Sequence, residues 1–169
     1  MITFDERGHL VKPYELNMSQ FKELFVDKWP RETSTRHAIF EIFEKYLTDF
    51  ETMITPNFMM WIDGSFVTQK SNPQDIDFVS FIDYTIYAEK EQLLDNQFRK
   101  YGAKNFYGQL IDAYICVVHP SNHEKAIITQ SDERYWLNQF SYTKPNRQNK
   151  KYSKGFIKMK FNGISDGNG

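Results

Sequence analysis

Asp75 and Asp77 stand two residues apart at the head of Asp75-Ile-Asp-Phe-Val-Ser-Phe-Ile82, a run that otherwise reads as a buried strand. Side chains alternate faces along a strand, so both carboxylates project from one side, about 7 Å apart. Ile76 and Phe78 then point into the core. Two carboxylates that close repel each other unless a cation or a proton lies between them, and aspartate is a poor strand former. A divalent ion would offset both costs, and hard oxygen ligands favour magnesium or manganese over zinc. The alternative places Asp75 in the loop after Pro73, with Asp77 alone in the sheet. A third carboxylate, Asp112, interrupts the apolar run from Gln109 to Val118, and a buried carboxylate needs a partner. If its strand neighbours the one beginning at Asp75, all three converge at one end of the sheet. Upstream, Gly64-Ser65 follows a short apolar segment. A Gly-Ser turn lets the backbone approach a ligand and offers N–H groups and a hydroxyl, which suits phosphate oxygens. Lys70 lies in the following loop, within reach of a β- or γ-phosphate, or else solvated. Three aspartates beside such a turn are the inventory of a two-metal phosphoryl or nucleotidyl transfer site. One metal activates a hydroxyl while the other binds the triphosphate and stabilises the leaving pyrophosphate.

The string Ile62-Asp63-Gly64-Ser65, nine residues, then Asp75-Ile76-Asp77-Phe78 resembles the signature of the DNA polymerase β-like nucleotidyltransferase superfamily. Asp112 matches the third carboxylate by position, and the run from Asp63 to Asp77 is similar to small bacterial nucleotidyltransferase-like proteins. The match covers residues 58–118. The resemblance implies a minimal nucleotidyltransferase fold, a central mixed sheet with helices mainly on one side. It implies Gly64 and Ser65 on the triphosphate of a nucleotide such as ATP, and Asp75 and Asp77 on two magnesium ions (or manganese). Asp112 would complete the catalytic metal site and help activate the acceptor hydroxyl. Larger relatives carry a further helical domain that holds base and acceptor, whereas only 57 residues follow Asp112 here. A minimal member acts with a partner chain, as small toxin-antitoxin nucleotidyltransferases do, or binds nucleotide without transferring it. The residues therefore leave three readings: an enzyme transferring a nucleoside monophosphate to RNA or protein, a non-catalytic regulatory or antitoxin-like module, and a structural protein whose carboxylates are capped by lysines.

Several elements must position these groups. Asn17 and Ser19 are candidate caps for a helix to about Lys28, with Phe21, Leu24 and Phe25 on one face. From Ser34 to Glu51, the spacing of Ala38, Ile39, Ile42, Phe43, Tyr46, Leu47 and Phe50 predicts an amphipathic helix. Strands are expected at 57–62, 75–82 and 109–118. Glu89 to Lys100 reads as a helix stopped by Gly102, and two further helical pieces fit 122–130 and 132–141. The strict alternation over 155–161 predicts an edge strand with its lysines in water.

The whole is expected to be one α/β (α+β) domain over 1–161, with a helical part at 17–51, a core at 57–118, a basic part at 121–161 and a flexible tail at 162–169. The net charge of −1 conceals an asymmetry: eight basic residues and no acid fall between Arg134 and Lys160, against a body carrying a net −8. Within that stretch Arg147, Lys150, Lys151 and Lys154 are candidates for an acidic acceptor such as RNA, with Tyr142 and Tyr152 to stack on bases; a solvated basic rim is the alternative. Cys116, the single cysteine, excludes an intramolecular disulfide and reads as core. His119 and His123 have a zinc-like spacing, but Pro120 lies between them. No Gly-x-Gly-x-x-Gly, Walker or Gly-x-Ser-x-Gly run occurs, which argues against Rossmann cofactors, P-loop ATPases and a Ser65 nucleophile. The start of the chain lacks a signal-peptide pattern and no apolar run is long enough for a membrane, so a cytoplasmic protein is expected.

Overall fold

The computed structural model describes residues 1–163. Five strands form one mixed sheet: β1 (Tyr14–Glu15), β2 (Asn57–Asp63), β3 (Ile76–Asp83), β4 (Ile111–Val118) and β5 (Ile157–Asn162), in the order β1-β5-β2-β3-β4. Five α-helices accompany it: α1 (Met18–Lys22), α2 (Arg36–Met53), α3 (Tyr84–Leu93), α4 (Lys100–Tyr107) and α5 (Ala126–Ser141). This is the expected mixed α+β architecture. Asn162, where the flexible tail is expected to begin, instead ends β5, and residues 164–169 of that expected tail lie outside the described part.

The chain starts α1 with a capping box, Asn17 accepting from the Gln20 amide at 2.8 Å and Gln20 accepting from the Asn17 amide at 3.0 Å. A single π-helical turn (Glu23–Asp27) then buries Phe25 beside Phe21. α2 follows the predicted period two residues later than expected, burying Ile39, Phe40, Phe43, Tyr46, Leu47 and Phe50, while Ala38 faces water. Its rings meet the sheet at Phe78, whose centroid lies 5.2 Å from Phe43 and 4.9 Å from Tyr46. Each such fully buried ring contributes roughly 1.5–3 kcal/mol.

Gly102 does not stop a helix. The break falls at Arg99, which is extended, and Lys100, which takes φ 48°. Gly102 sits inside α4, where a Cβ would run into the carbonyl of Asp95. The close approach of two chain segments requires the glycine.

Two further expectations change. β5 is an interior strand, antiparallel to β2 and covered on its outer side by the parallel pairing Tyr14↔Ile157 and Glu15↔Lys158. Lys160 is exposed as expected, but Lys158 lies over the Trp61 ring at 5.2 Å. The two helical pieces at 122–130 and 132–141 are one helix, α5. Thr129, Trp136 and Phe140 recur on one side of it and pack on the sheet face carrying Trp61, Val79, Phe81 and Cys116. The larger core, with Ile62, Ile76 and Phe78, lies on the opposite face against α1, α2 and α4. Among the described residues, no helix is long and apolar enough to cross a membrane.

Candidate functional site

Strand register brings the carboxylates together. β2 and β3 pair antiparallel with Asp63 opposite Asp77, and β3 and β4 pair parallel with Asp77 beside Asp112. Three adjacent strands thus carry aspartate in one row. These residues share strand parity with Trp61, Val79, Phe81 and Cys116, so they emerge on the α5 side of the sheet. Asp75 precedes β3 by one residue, at the strand's mouth rather than within it. It still interacts with Asp77 and Asp112 through its charge.

The electrostatics follow from that crowding. Burial, then the charges of Asp75, Asp112 and Asp63, push the Asp77 carboxyl up to about 7. Burial and Asp112 also raise Asp75, opposed by Lys104, Lys144 and Lys70. Among the described residues, two of the four carboxylates have direct cationic partners. Lys104 Nζ lies 3.4 Å from Asp112 Oδ1, and the Tyr114 hydroxyl donates to Asp112 Oδ2 at 3.2 Å. Lys154 is bonded to Asp63 and also donates to the Phe140 carbonyl at 3.0 Å. Among the described residues, no group of three or more His, Cys, Asp or Glu side chains is arranged as it stands to hold a metal ion.

Gly64 forms the turn after β2 with φ +78°, and a Cβ there would fall on the Asp77 carboxylate. Both the backbone conformation and the close contact demand glycine. Gly64→Ala is therefore expected to lower the melting temperature by several degrees, consistent with a cost of about 1–3 kcal/mol, and to displace the Asp77 carboxylate. A thermal melt with and without magnesium checks it; an unchanged melt would show that the turn relaxes freely.

Beyond Gly64, residues Ser65–Val67 make one 3₁₀ turn and the chain runs to Lys70. That loop is held from beneath by Arg36, which is fully buried. Its Nη1 donates to the carbonyls of Phe25 (3.0 Å) and Phe66 (2.6 Å), Nη2 to those of Thr68 (2.7 Å) and Lys70 (2.6 Å), and Nε again to Lys70 (3.1 Å). Sequence reading did not single out Arg36, because a lone arginine in the first turn of a helix carries no local signal of burial.

Three chain segments wall a cleft of about 1020 Å³ around the carboxylates. The loop 64–75 forms its floor. The tip 5–9 forms one wall, shaped by Asp5, whose Oδ1 accepts from the amides of Arg7 and His9 at 2.9 Å each. It is tied to the floor by the Gln69 amide, which donates to the Gly8 carbonyl at 2.9 Å. The third segment is the end of α5 with the hairpin 142–154, closed by the Thr143 amide donating to Tyr152 O at 2.9 Å.

Gly64, Ser65, Lys70, Asp75, Asp77, Asp112, Lys151 and Lys154 all line this cleft. Arg147 and Lys150 are exposed on the hairpin turn, outside it. Lys154 does not present a free cation, since Asp63 and the Phe140 carbonyl hold its ammonium. Tyr142 is exposed in the cleft, but the face of Tyr152 is taken by Arg7, whose guanidinium carbon lies 3.8 Å from the ring centre. Sequence reasoning missed Asp63, Lys144, Tyr135 and the tip 5–9. Asp63 adjoins the Gly-Ser turn and Lys144 lies in the basic stretch, so both had a signal; the tip had none beyond its turn residues.

No curated protein and no solved structure is detectably similar to the chain. Residues 2–160 match a family of unknown function, DUF6932, and the chain belongs to that family.

Proposed function

We propose that the protein is a minimal nucleotidyltransferase of the DNA polymerase β-like type, using magnesium or manganese to transfer a nucleoside monophosphate from a triphosphate to a hydroxyl on RNA or protein in the cytoplasm. The observation that carries this reading is the row Asp63–Asp77–Asp112 with Asp75 at its mouth, packed against a glycine turn that no side chain would fit. The residues suit a hard divalent ion: the donors are carboxylate oxygens, and Asp77 stands among like charges. Asp75, Asp77 and Asp112 would hold the metal. When bound, it would supply charge neutralisation at the phosphates and a lowered pKa for a hydroxyl.

The chain's own groups have separable tasks. The Ser65 hydroxyl and the turn behind Gly64 would hold phosphate oxygens. Lys70 and Lys144, which already counter the charge of Asp75, would counter that of the triphosphate. Asp112 would orient the acceptor hydroxyl. Lys154 holds Asp63 against the end of α5, which fixes the end of β2 from which the glycine turn departs.

A second reading, a nucleotide-binding module that acts as a regulatory or antitoxin-like partner without turnover, is favoured by one contact. Lys104 already neutralises Asp112. Incubation with each labelled nucleoside triphosphate, magnesium and a mixed RNA and protein extract separates the two. Label transfer that disappears in Asp75→Asn/Asp77→Asn supports the enzyme. Nucleotide-dependent thermal stabilisation without transfer, about 2.7 kcal/mol at a hundredfold excess over Kd, supports the module. If neither magnesium nor any triphosphate shifts the melt, both readings fail.

A further inference from the structure

We infer that the acceptor is a single-stranded nucleic acid, laid along the hairpin 142–154 with its end directed at the carboxylates. This rests on reading the cleft as a nucleotidyl-transfer site. The cations around the cleft exceed what a triphosphate can use, and they do not stop at its edge. Lys70 and Lys144 line the cleft beside Asp75. Lys151 continues along the wall, and Lys150 and Arg147 extend the positive charge over the exposed turn of the hairpin. Arg7 joins them from the opposite wall by stacking on Tyr152, whose ring centre also lies 5.1 Å from Lys150 Nζ. Glu6 is the acid in that rim.

The hairpin holds its shape without these charges. Asn146 Oδ1 accepts from the amides of Gln148 and Lys150 at 2.9 Å each, and Asn149 takes the left-handed conformation that closes the turn. Arg147, Lys150 and Lys151 are exposed and therefore able to face a ligand, whereas Lys154 is held by Asp63 and the Phe140 carbonyl. A linear track of cations leading away from the reaction centre matches a chain of phosphates.

Aromatic rings complete the match. Tyr135 is 56% exposed and Tyr142 46% exposed, and both line the cleft. Tyr135 leans edge-on against Trp136 (5.1 Å), which in turn packs on Tyr114 (4.8 Å). Exposed rings beside a cationic groove are the stacking platform that single strands use and that a paired duplex cannot reach. A single strand uses the extended charge through its phosphates and the open rings through its bases. The cleft volume of about 1020 Å³ lies at the top of the range for one small ligand, about 300–1,000 Å³, which leaves room for a terminal nucleotide beside a triphosphate.

Fluorescence anisotropy of the full chain with short labelled RNA, DNA and duplex oligonucleotides, over a salt series, tests this. Single strands are expected to bind and duplex to bind more weakly, and the RNA and DNA arms show which sugar is preferred. Replacing Arg147, Lys150 and Lys151 by Gln should flatten the slope of log affinity against log salt by about 2, at about 0.7 per contact. Tyr142→Ala should weaken binding about 10-fold to 100-fold at every salt concentration. All four side chains are exposed, so folding is spared, and circular dichroism verifies it. Asp75→Asn/Asp77→Asn should still bind oligonucleotide. Single-strand affinity without any nucleotide transfer would sink the enzyme and leave this platform standing. Transfer of label to protein with no oligonucleotide affinity, or affinity unaltered in the Gln and Ala variants, would overturn the platform.

Discussion

Asp77→Asn is expected to make the metal-free protein more stable at pH 8, not less. In the fold, burial and three neighbouring carboxylates raise Asp77 from 3.8 to about 7, so the native state prefers it uncharged. A raised folded pKa leaves stability untouched below the unfolded value, near pH 4. The cost of ionising Asp77 then grows as pH rises and levels off above about 7. Asparagine has the shape of the neutral acid and escapes that cost. The variant should therefore match the wild type near pH 4 and exceed it by about 2–4 kcal/mol at pH 8, a difference of several degrees in Tm. Magnesium should reverse the order, stabilising the wild type and leaving the variant unmoved. Melts in EDTA and in magnesium across that pH range read both effects. A variant less stable than wild type at pH 8 in EDTA would show that Asp77 is not held against its neighbours.

Arg36→Lys is expected to cost nearly as much as Arg36→Met, about 3–5 kcal/mol. Burial lowers the Arg36 pKa only to about 10, so the group stays charged at neutral pH. Among the described residues, no carboxylate pairs with it. Its partners are four carbonyl oxygens and the rings of Trp29 (4.5 Å) and Phe66 (5.1 Å). A planar fork reaches carbonyls on both sides at once. An ammonium cannot, and methionine leaves every carbonyl unpaired in a dry site. The loss should be localised: amide exchange over 66–70 should quicken in both variants more than exchange in α2. Urea midpoints give the total cost, and uniform exchange across the chain would contradict the assignment of Arg36 to this loop.

The sequence pattern revealed α2 because about five turns of regular spacing need not be guessed when Ile39, Phe43, Tyr46 and Phe50 recur on one face. It revealed the glycine turn and Asp77 because both are local signals, a Gly-Ser pair after an apolar segment and a charge in an apolar run. It placed Asp112 correctly only on the condition that its strand neighbours β3, and the register Asp77↔Asp112 meets that condition. What it could not show depends on distant partners. The alternation of Gly155 to Phe161 describes a strand with one wet face equally well at an edge or between β1 and β2. Lys154 reads as a free cation until the fold brings Asp63 to it from 91 residues away. The tip 5–9 enters the site through the backbone bond from Gln69 and the stacking of Arg7 on Tyr152, which no composition foretells.

The position of β5 has a consequence for biosynthesis. The last of the described strands inserts between the first and second, and the hairpin that walls the cleft immediately precedes it. A growing chain that has delivered every carboxylate by residue 112 still lacks that wall and the lysine partner of Asp63. Until residues 157–162 dock, the edges of β1 and β2 stand open and the charge row is unscreened on one side. The site is thus completed only after most of the sheet has been made, and a chain released before residue 142 would carry the acidic row without the wall that orders it.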